Sequence, residues 1–430
     1  MTSEIKSRVA ALNILKKVLD EGATLDGAIN KFSNTFSARD RGFVRHITAT
    51  TIRRLGQLDK IINHCTKKKL GNTQMQIRHV LRLGIAQLLY SEVPAYAAVN
   101  SSVELVDKCV SKKLHYLKNT VNALLRRVDQ DREMLLKKFG NTRLNFPDWI
   151  LKSWDERYGT EAVKYILGAV LSEAPLDISL KPDCDKNLWA VQLSGKVVPG
   201  GSIRINKAGK ITELPGYNEG HWWVQDMAAR IPETLLGAKE ADDVLDLCAA
   251  PGGKTAQSAA RGAKVTAVDF SESRLERLKE NIGRLNLEVD VVTSDVLAFK
   301  PLKKFDFILL DAPCSSTGTI RRHPEILHIR KQEDVSELAK LQTKMLDHAV
   351  TLLNTGGIMI YSVCSMEKQE GPDQIKALLQ RNSSLKRKEI KAEELPGLEQ
   401  AILETGDVQT LPHYYEGGMD GFFISRLIKM

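Results

Sequence analysis

From residue 225 onward, six apolar runs alternate with amphipathic stretches, and this alternation restricts the fold more than any other feature of the chain. The runs cover residues 244–247, 264–270, 289–294, 305–310, 357–363 and 421–428. Residues 271–285 (Leu275, Leu278, Ile282, Leu285) and 335–353 (Leu338, Leu341, Met345, Leu352) repeat apolar side chains at helical spacing. Apolar strands with helices between them predict a mostly parallel, doubly wound sheet. Ligands of such sheets bind beyond the carboxyl ends of the strands. At those ends stand Asp246, Asp269, Asp311 with Cys314, and Cys364.

The first run enters the segment Asp246-Leu247-Cys248-Ala249-Ala250-Pro251-Gly252-Gly253-Lys254-Thr255, and small residues at 256–260 leave it. This reads as strand, glycine-rich turn and helix start, where backbone N–H groups and a positive dipole end meet a ligand. A P-loop would need glycine where Cys248 stands, and a dinucleotide turn would need G-x-G-x-x-G, so neither pattern is met. S-adenosylmethionine needs a turn for its methionine end, a carboxylate for the ribose and a polar group for the adenine. Asp269 ends the second run, sixteen residues after Gly253, and Asp295 follows the third. S-adenosylmethionine is therefore the expected cofactor.

The 430-residue chain carries a net charge of +9, and the excess is confined to its first third. Residues 1–140 hold 25 Lys+Arg against 12 Asp+Glu, and the remainder holds 37 against 41. Helical periodicity fills residues 5–128, predicting an all-α domain of five to seven helices. Its basic clusters are Arg53-Arg54, Lys67-Lys68-Lys69, Arg78 with Arg82, Lys112-Lys113 and Arg126-Arg127, and they favour a polyanion, RNA or DNA, as partner. Residues 140–224 mix helix with short strand candidates at 176–180, 188–193 and 202–205, as in a small α+β module. The expected domains are thus 1–139, 140–224 and 225–430. No run reaches the length of a spanning helix, and six scattered cysteines form neither a CxxC pair nor a zinc pattern. A cytoplasmic monomer with no membrane and no metal is expected.

A thiol beside a methyl donor suggests one reaction. Carbon 5 of a pyrimidine is a poor nucleophile until a thiolate adds to carbon 6; methylation, proton loss and elimination then follow. Cys314, in Asp311-Ala312-Pro313-Cys314-Ser315, and Cys364, in Tyr361-Ser362-Val363-Cys364-Ser365, are both placed for this. Spacing does not say which thiol attacks.

These segments, with Arg321-Arg322-His323-Pro324 and Asp420-Gly421-Phe422-Phe423, make a specific set. The chain resembles the RNA cytosine-5 methyltransferases of the NOL1/NOP2/Sun family, in particular those acting on bacterial 16S ribosomal RNA at the cytosine equivalent to position 967. The resemblance implies a NusB-like helical RNA-binding domain, an intermediate module and a Rossmann-like methyltransferase core. It also implies that Cys248, Ala249, Ala250, Pro251, Gly252, Gly253 and Lys254 hold the methionine end of the cofactor, Asp269 the ribose and Asp295 the adenine. Asp311 would bridge cofactor and base. The family makes Cys364 the nucleophile and gives Cys314 a part in release. Arg53, Arg54, Lys67, Lys68, Lys69, Arg321, Arg322 and His323 are the expected RNA contacts. The chain departs from the family pattern at Val363, at Gln369-Glu370-Gly371 and at Ser179-Leu180-Lys181. The same chemistry on transfer RNA or another ribosomal site, and a non-catalytic RNA-binding assembly factor, remain alternatives.

Overall fold

The computed structural model describes residues 3–33, 36–66, 69–206 and 209–430. The chain divides into two compact units. One comprises Met1–Asp155 with Arg322–Arg330; the other comprises Glu156–Arg321 with Lys331–Met430.

The first unit is helical. Among the described residues, eight α-helices lie between Ser3 and Lys138: Ser3–Glu21, Leu25–Ser33, Ala38–Arg53, Leu55–Cys65, Met75–Tyr90, Ala95–Cys109, Lys118–Gln130 and Arg132–Lys138. The continuous periodicity through Val44, Ile47, Thr51, Leu55 and Leu58 hides a break at Arg54, because both helices turn buried residues to one core. Gly56, just after the break, lets a later segment pack close: a Cβ there would lie 1.7 Å from the Leu144 carbonyl oxygen. The segment Arg322–Arg330 belongs to this unit, with His328 Nε2 2.9 Å from the Ile52 carbonyl and Glu325 Oε1 accepting from the Leu25 N–H at 3.0 Å.

The second unit holds two sheets. Four short strands, β1 (Leu176–Leu180), β2 (Lys196–Val197), β3 (Ile203–Ile205) and β4 (Trp222–Val224), pair antiparallel in the order β2-β3-β1-β4. Residues 188–193, expected as a strand, lie instead mostly in the helix Lys186–Gln192. Asp185 supplies the reason: its side chain accepts from the N–H groups of Asn187 and Leu188, capping the helix start.

The larger sheet contains β5 (Asp243–Leu247), β6 (Lys264–Asp269), β7 (Asp290–Thr293), β8 (Phe305–Asp311), β9 (Leu353–Val363), β10 (Leu385–Arg387), β11 (Val408–Gln409) and β12 (Phe423–Lys429). Its order is β10-β12-β9-β8-β5-β6-β7, with β11 on β12. The five strands from β9 to β7 are parallel to one another, whereas β12 runs antiparallel to β9, β10 and β11. The expected mostly parallel Rossmann-like sheet is therefore present, with an antiparallel edge. Buried Leu245, Leu247, Ile308, Leu310, Met359 and Tyr361 pack one face and Val244, Leu309 and Ile360 the other, as alternating side chains of a sheet covered on both sides must.

Candidate functional site

Parallel register brings the loops after β5, β6, β8 and β9 to one rim: Leu247 pairs with Val268 and Leu310, and Asp311 with Ser362. After β5 the turn holds Cys248 at φ 64° and Gly252 at φ 98°, and the helix Gly253–Ala260 begins immediately. Gly252 is required there, since a Cβ would sit 2.9 Å from Leu278 Cγ on a left-handed backbone that side chains disfavour. Asp269 draws the turn to the end of β6: its Oδ2 accepts from the Ala250 N–H at 3.1 Å and its Oδ1 from the Ser271 N–H at 3.0 Å. Arg274 donates to the Ala250 carbonyl from the other side. Asp295 is exposed and caps the short turn Val296–Ala298 through the Leu297 N–H at 2.8 Å.

Asp246, 1% exposed, accepts from Thr255 through Oδ2 at 2.5 Å, while its buried Oδ1 has no hydrogen-bond partner among the described residues. Burial pushes its carboxyl up to about 7. An acceptor without a donor at the head of a glycine turn is satisfied by an ammonium group. With acids at the ends of β5 and β6 and beyond β7, these residues fit the amino-acid and adenosine ends of S-adenosylmethionine. One consequence concerns pH. Between the ordinary carboxylate value and about 7 the folded chain keeps a proton that the unfolded chain releases, so stability falls as pH rises through this window. Asp246→Asn should flatten that decline, leaving the variant a few kcal/mol more stable relative to wild type at pH 8 than at pH 4, as read by urea unfolding.

Across the rim, Asp311 accepts from Lys254 Nζ through Oδ2 at 2.6 Å and from Ser362 Oγ through Oδ1 at 2.7 Å. Lys254 also stands 5.1 Å over the ring of Phe422. The two strand-end thiols meet: Cys314 Sγ and Cys364 Sγ are 3.4 Å apart. Ser316, at φ 61°, brings its hydroxyl 3.6 Å from Cys364 Sγ. The thiol–thiol hydrogen bond makes the pair unequal. It holds Cys364 below the ordinary thiol range, aided by the Ser316 hydroxyl and the Lys254 charge, and it raises Cys314 well above. Burial pushes the Cys248 thiol up as well.

Beneath the thiols lies Glu370, which is not among the site residues expected above. Its buried carboxylate accepts from the Ser315 N–H at 2.8 Å, from the hydroxyls of Ser315 and Ser365, and from Gln342 at 3.2 Å. It thereby ties each thiol's following residue to one anchor. The glutamate in Gln369-Glu370-Gly371 is the signal that could have found it. Gly318 donates to the Cys364 carbonyl at 3.0 Å and accepts from Gly421 at 2.8 Å; a Cβ on it would lie 1.8 Å from the Gly421 oxygen.

The expected RNA contacts scatter. Arg321 is 1% exposed and is held between Asp226 and, at 3.1 Å, Asp420, so its guanidinium is structural and does not face RNA. Arg53 is likewise buried, and Arg54 stacks over the Tyr90 ring at 4.3 Å. Arg78 and Arg82, counted above among the basic clusters that favour a polyanion, are buried and paired with Asp59. Arg322 and His323 are half-buried, with His323 Nδ1 3.8 Å from Glu325. Lys67 and Lys68 lie outside the described residues; Lys69, Lys112, Lys113, Arg126 and Arg127 are exposed. No cluster of three or more possible metal ligands occurs among the described residues, and none of their helices is long and apolar enough to cross a membrane.

Comparison with known proteins gives a consistent result. Residues 233–428 match the family described as 16S rRNA methyltransferase RsmB/F, and residues 5–130 match the NusB family. The ribosomal RNA small subunit methyltransferase B of Serratia proteamaculans is 34% identical over the whole of both chains. That of Escherichia coli K12 is 32% identical, again over the whole of both. Among solved structures, PH0851 superposes with a TM-score of 0.78 at 21% identity, covering 100% of this chain and 99% of its own. A methyltransferase homologue from Pyrococcus horikoshii gives 0.57 at 24%, covering 67% of this chain and 98% of its own. With a NusB-like helical domain followed by a Rossmann-like methyltransferase sheet, and relatives matched from end to end, the chain belongs to the 16S rRNA methyltransferase family that includes ribosomal RNA small subunit methyltransferase B.

Proposed function

We propose that this chain methylates carbon 5 of a cytosine in 16S ribosomal RNA, at the position equivalent to 967, through a covalent adduct with Cys364. The observation that carries the reading is the contact of two strand-end thiols, 3.4 Å apart, on the rim that also holds the Asp311–Lys254 pair. S-adenosylmethionine, when bound, supplies an electrophilic methyl group; Cys248, Ala249, Ala250, Pro251, Gly252, Gly253 and Lys254 hold its methionine end, Asp269 its ribose and Asp295 its adenine. Cys364, the thiol held below its ordinary range, adds to carbon 6 and makes carbon 5 nucleophilic. Negative charge that develops on the ring is met by the Lys254 ammonium, which Asp311, itself held by Ser362, keeps in place. After methyl transfer, carbon 5 gives its proton to solvent, the carbon–hydrogen electrons restore the 5,6 double bond, and the carbon–sulfur electrons return to Cys364. Cys314 keeps its proton in the resting site and donates a hydrogen bond to the departing sulfur. The helical unit supplies the grip on RNA through its exposed lysines and arginines.

The test is bisulfite mapping of 16S rRNA and transfer RNA, each incubated with the purified protein and S-adenosylmethionine. One new protected cytosine is expected; a map with none sinks the reading, and protection confined to transfer RNA moves the activity there. Grip is tested separately. Replacing Lys69, Lys112, Lys113 and Arg126 by glutamine should make the plot of log affinity against log salt shallower by about 0.7 to 0.9 for each phosphate no longer neutralised. An unchanged slope would mean that this basic face is only solvated.

A further inference from the structure

Away from the thiols, the second unit has a pocket of about 230 Å³ lined by Lys181, Lys186, Gly201, Arg230, Gln257 and Arg261 among others. That volume is below the roughly 300–1,000 Å³ of pockets that enclose a drug-sized ligand. Four of its lining residues are cations, and none is an acid. Lys181 and Lys186 have no ion-pair partner among the described residues, and Arg261 reaches only Glu233, at 3.6 Å. Gly201, at φ 85°, leaves room for the Lys186 ammonium: a Cβ there would lie 2.6 Å from its Nζ.

Arg230 is the telling member. Its Nε and Nη1 are buried and have no hydrogen-bond partner among the described residues, and burial holds its guanidinium below the ordinary arginine value. Buried N–H donors on a charged group are costly to leave unmade. Glu233 offsets part of the charge: Ser258 donates to its Oε1, and its buried Oε2, 3.6 Å from Arg261, has no hydrogen-bond partner among the described residues. Four cations around one small cavity favour an occupant that is anionic, small and able to meet several donors at once. A phosphate group has that chemistry, with an oxygen for each of several N–H groups.

We propose that this pocket is a phosphate-binding site, lined by the cations Lys181, Lys186, Arg230 and Arg261. The phosphate comes either from the RNA backbone or from a free phosphoryl ligand. The RNA source rests on the proposed function; the pocket itself does not, so the two are tested apart.

Thermal unfolding of the full-length protein is followed in inorganic phosphate and in chloride of equal ionic strength, and RNA binding is followed against salt, for wild type, Arg230→Gln and Lys186→Gln. If the ligand is free, phosphate raises the wild-type Tm above the chloride control and both variants lose the increment. If the source is RNA, phosphate alone does little, and each variant makes the salt slope shallower by about 0.7 to 0.9, the value of a single phosphate. Exposed Lys186 keeps the test informative should Arg230→Gln fold poorly. Wild-type behaviour of Lys186→Gln in both titrations, together with an unchanged or unfolded Arg230→Gln, overturns the site. Because the phosphate arm needs no methyl transfer, a failed methylation assay leaves it intact.

Discussion

Cys364→Ala should abolish methyl transfer, lowering turnover by at least about 10³-fold, while the affinity for S-adenosylmethionine stays within about twofold of wild type. The thiol is the only group the mechanism asks to form a bond with the base, so no neighbour substitutes for it. The turn at 246–255, proposed above to hold the cofactor, makes none of its hydrogen bonds to Cys364. Cys314→Ala should behave differently. Removing the proton donor 3.4 Å from the leaving sulfur slows release more than attack, so a covalent RNA adduct accumulates and survives denaturing electrophoresis. Full turnover by Cys364→Ala would reverse the assignment of the two thiols. An adduct seen with Cys364→Ala and absent with Cys314→Ala would do the same.

Arg321→Met should give the largest loss of stability in the second unit, on the order of 3–5 kcal/mol. The guanidinium is 1% exposed between Asp226 and Asp420, and Asp226 also accepts from the N–H groups of Ala228 and Asp420. Truncation leaves two buried carboxylates facing each other without a cation. The triple variant Asp226→Asn/Arg321→Met/Asp420→Asn removes those charges together and should recover most of the loss, as urea midpoints followed by tryptophan fluorescence would report. A surface arginine contacting RNA would behave otherwise: its removal would leave the midpoint alone and alter the salt slope. Equal stability of wild type and Arg321→Met would return this residue to the RNA contacts.

The cofactor rim was readable because its signals are local. Apolar runs ending in Asp246, Asp269, Asp311 and Cys364 identify parallel strands and their carboxyl ends without knowledge of any partner. What pairs with what was less readable. Arg78 and Arg82 look like an exposed basic stripe, and only folding brings Asp59, nineteen and twenty-three residues earlier, against them. Arg321 meets Asp226 and Asp420 from ninety-five and ninety-nine residues away. Strand β4 is three residues long and is defined by its register with β1, which no periodicity records. The same limit applies at the thiols: each was visible as a strand-end cysteine, but their contact and the Glu370 anchor beneath them require β8 and β9 to lie side by side.

Strand β12 lies between β9 and β10, yet it follows every other strand of its sheet in sequence. During synthesis, β9 therefore emerges with a bare hydrogen-bonding edge, and a nascent chain that has not reached Phe423 holds both cysteines without a finished sheet behind them. A chain stopped short of Asp420 also lacks Gly421 against Gly318 and the second carboxylate on Arg321. Both thiols are thus in hand long before the rim that pairs them is complete, and a chain still being translated is not yet equipped to modify ribosomal RNA.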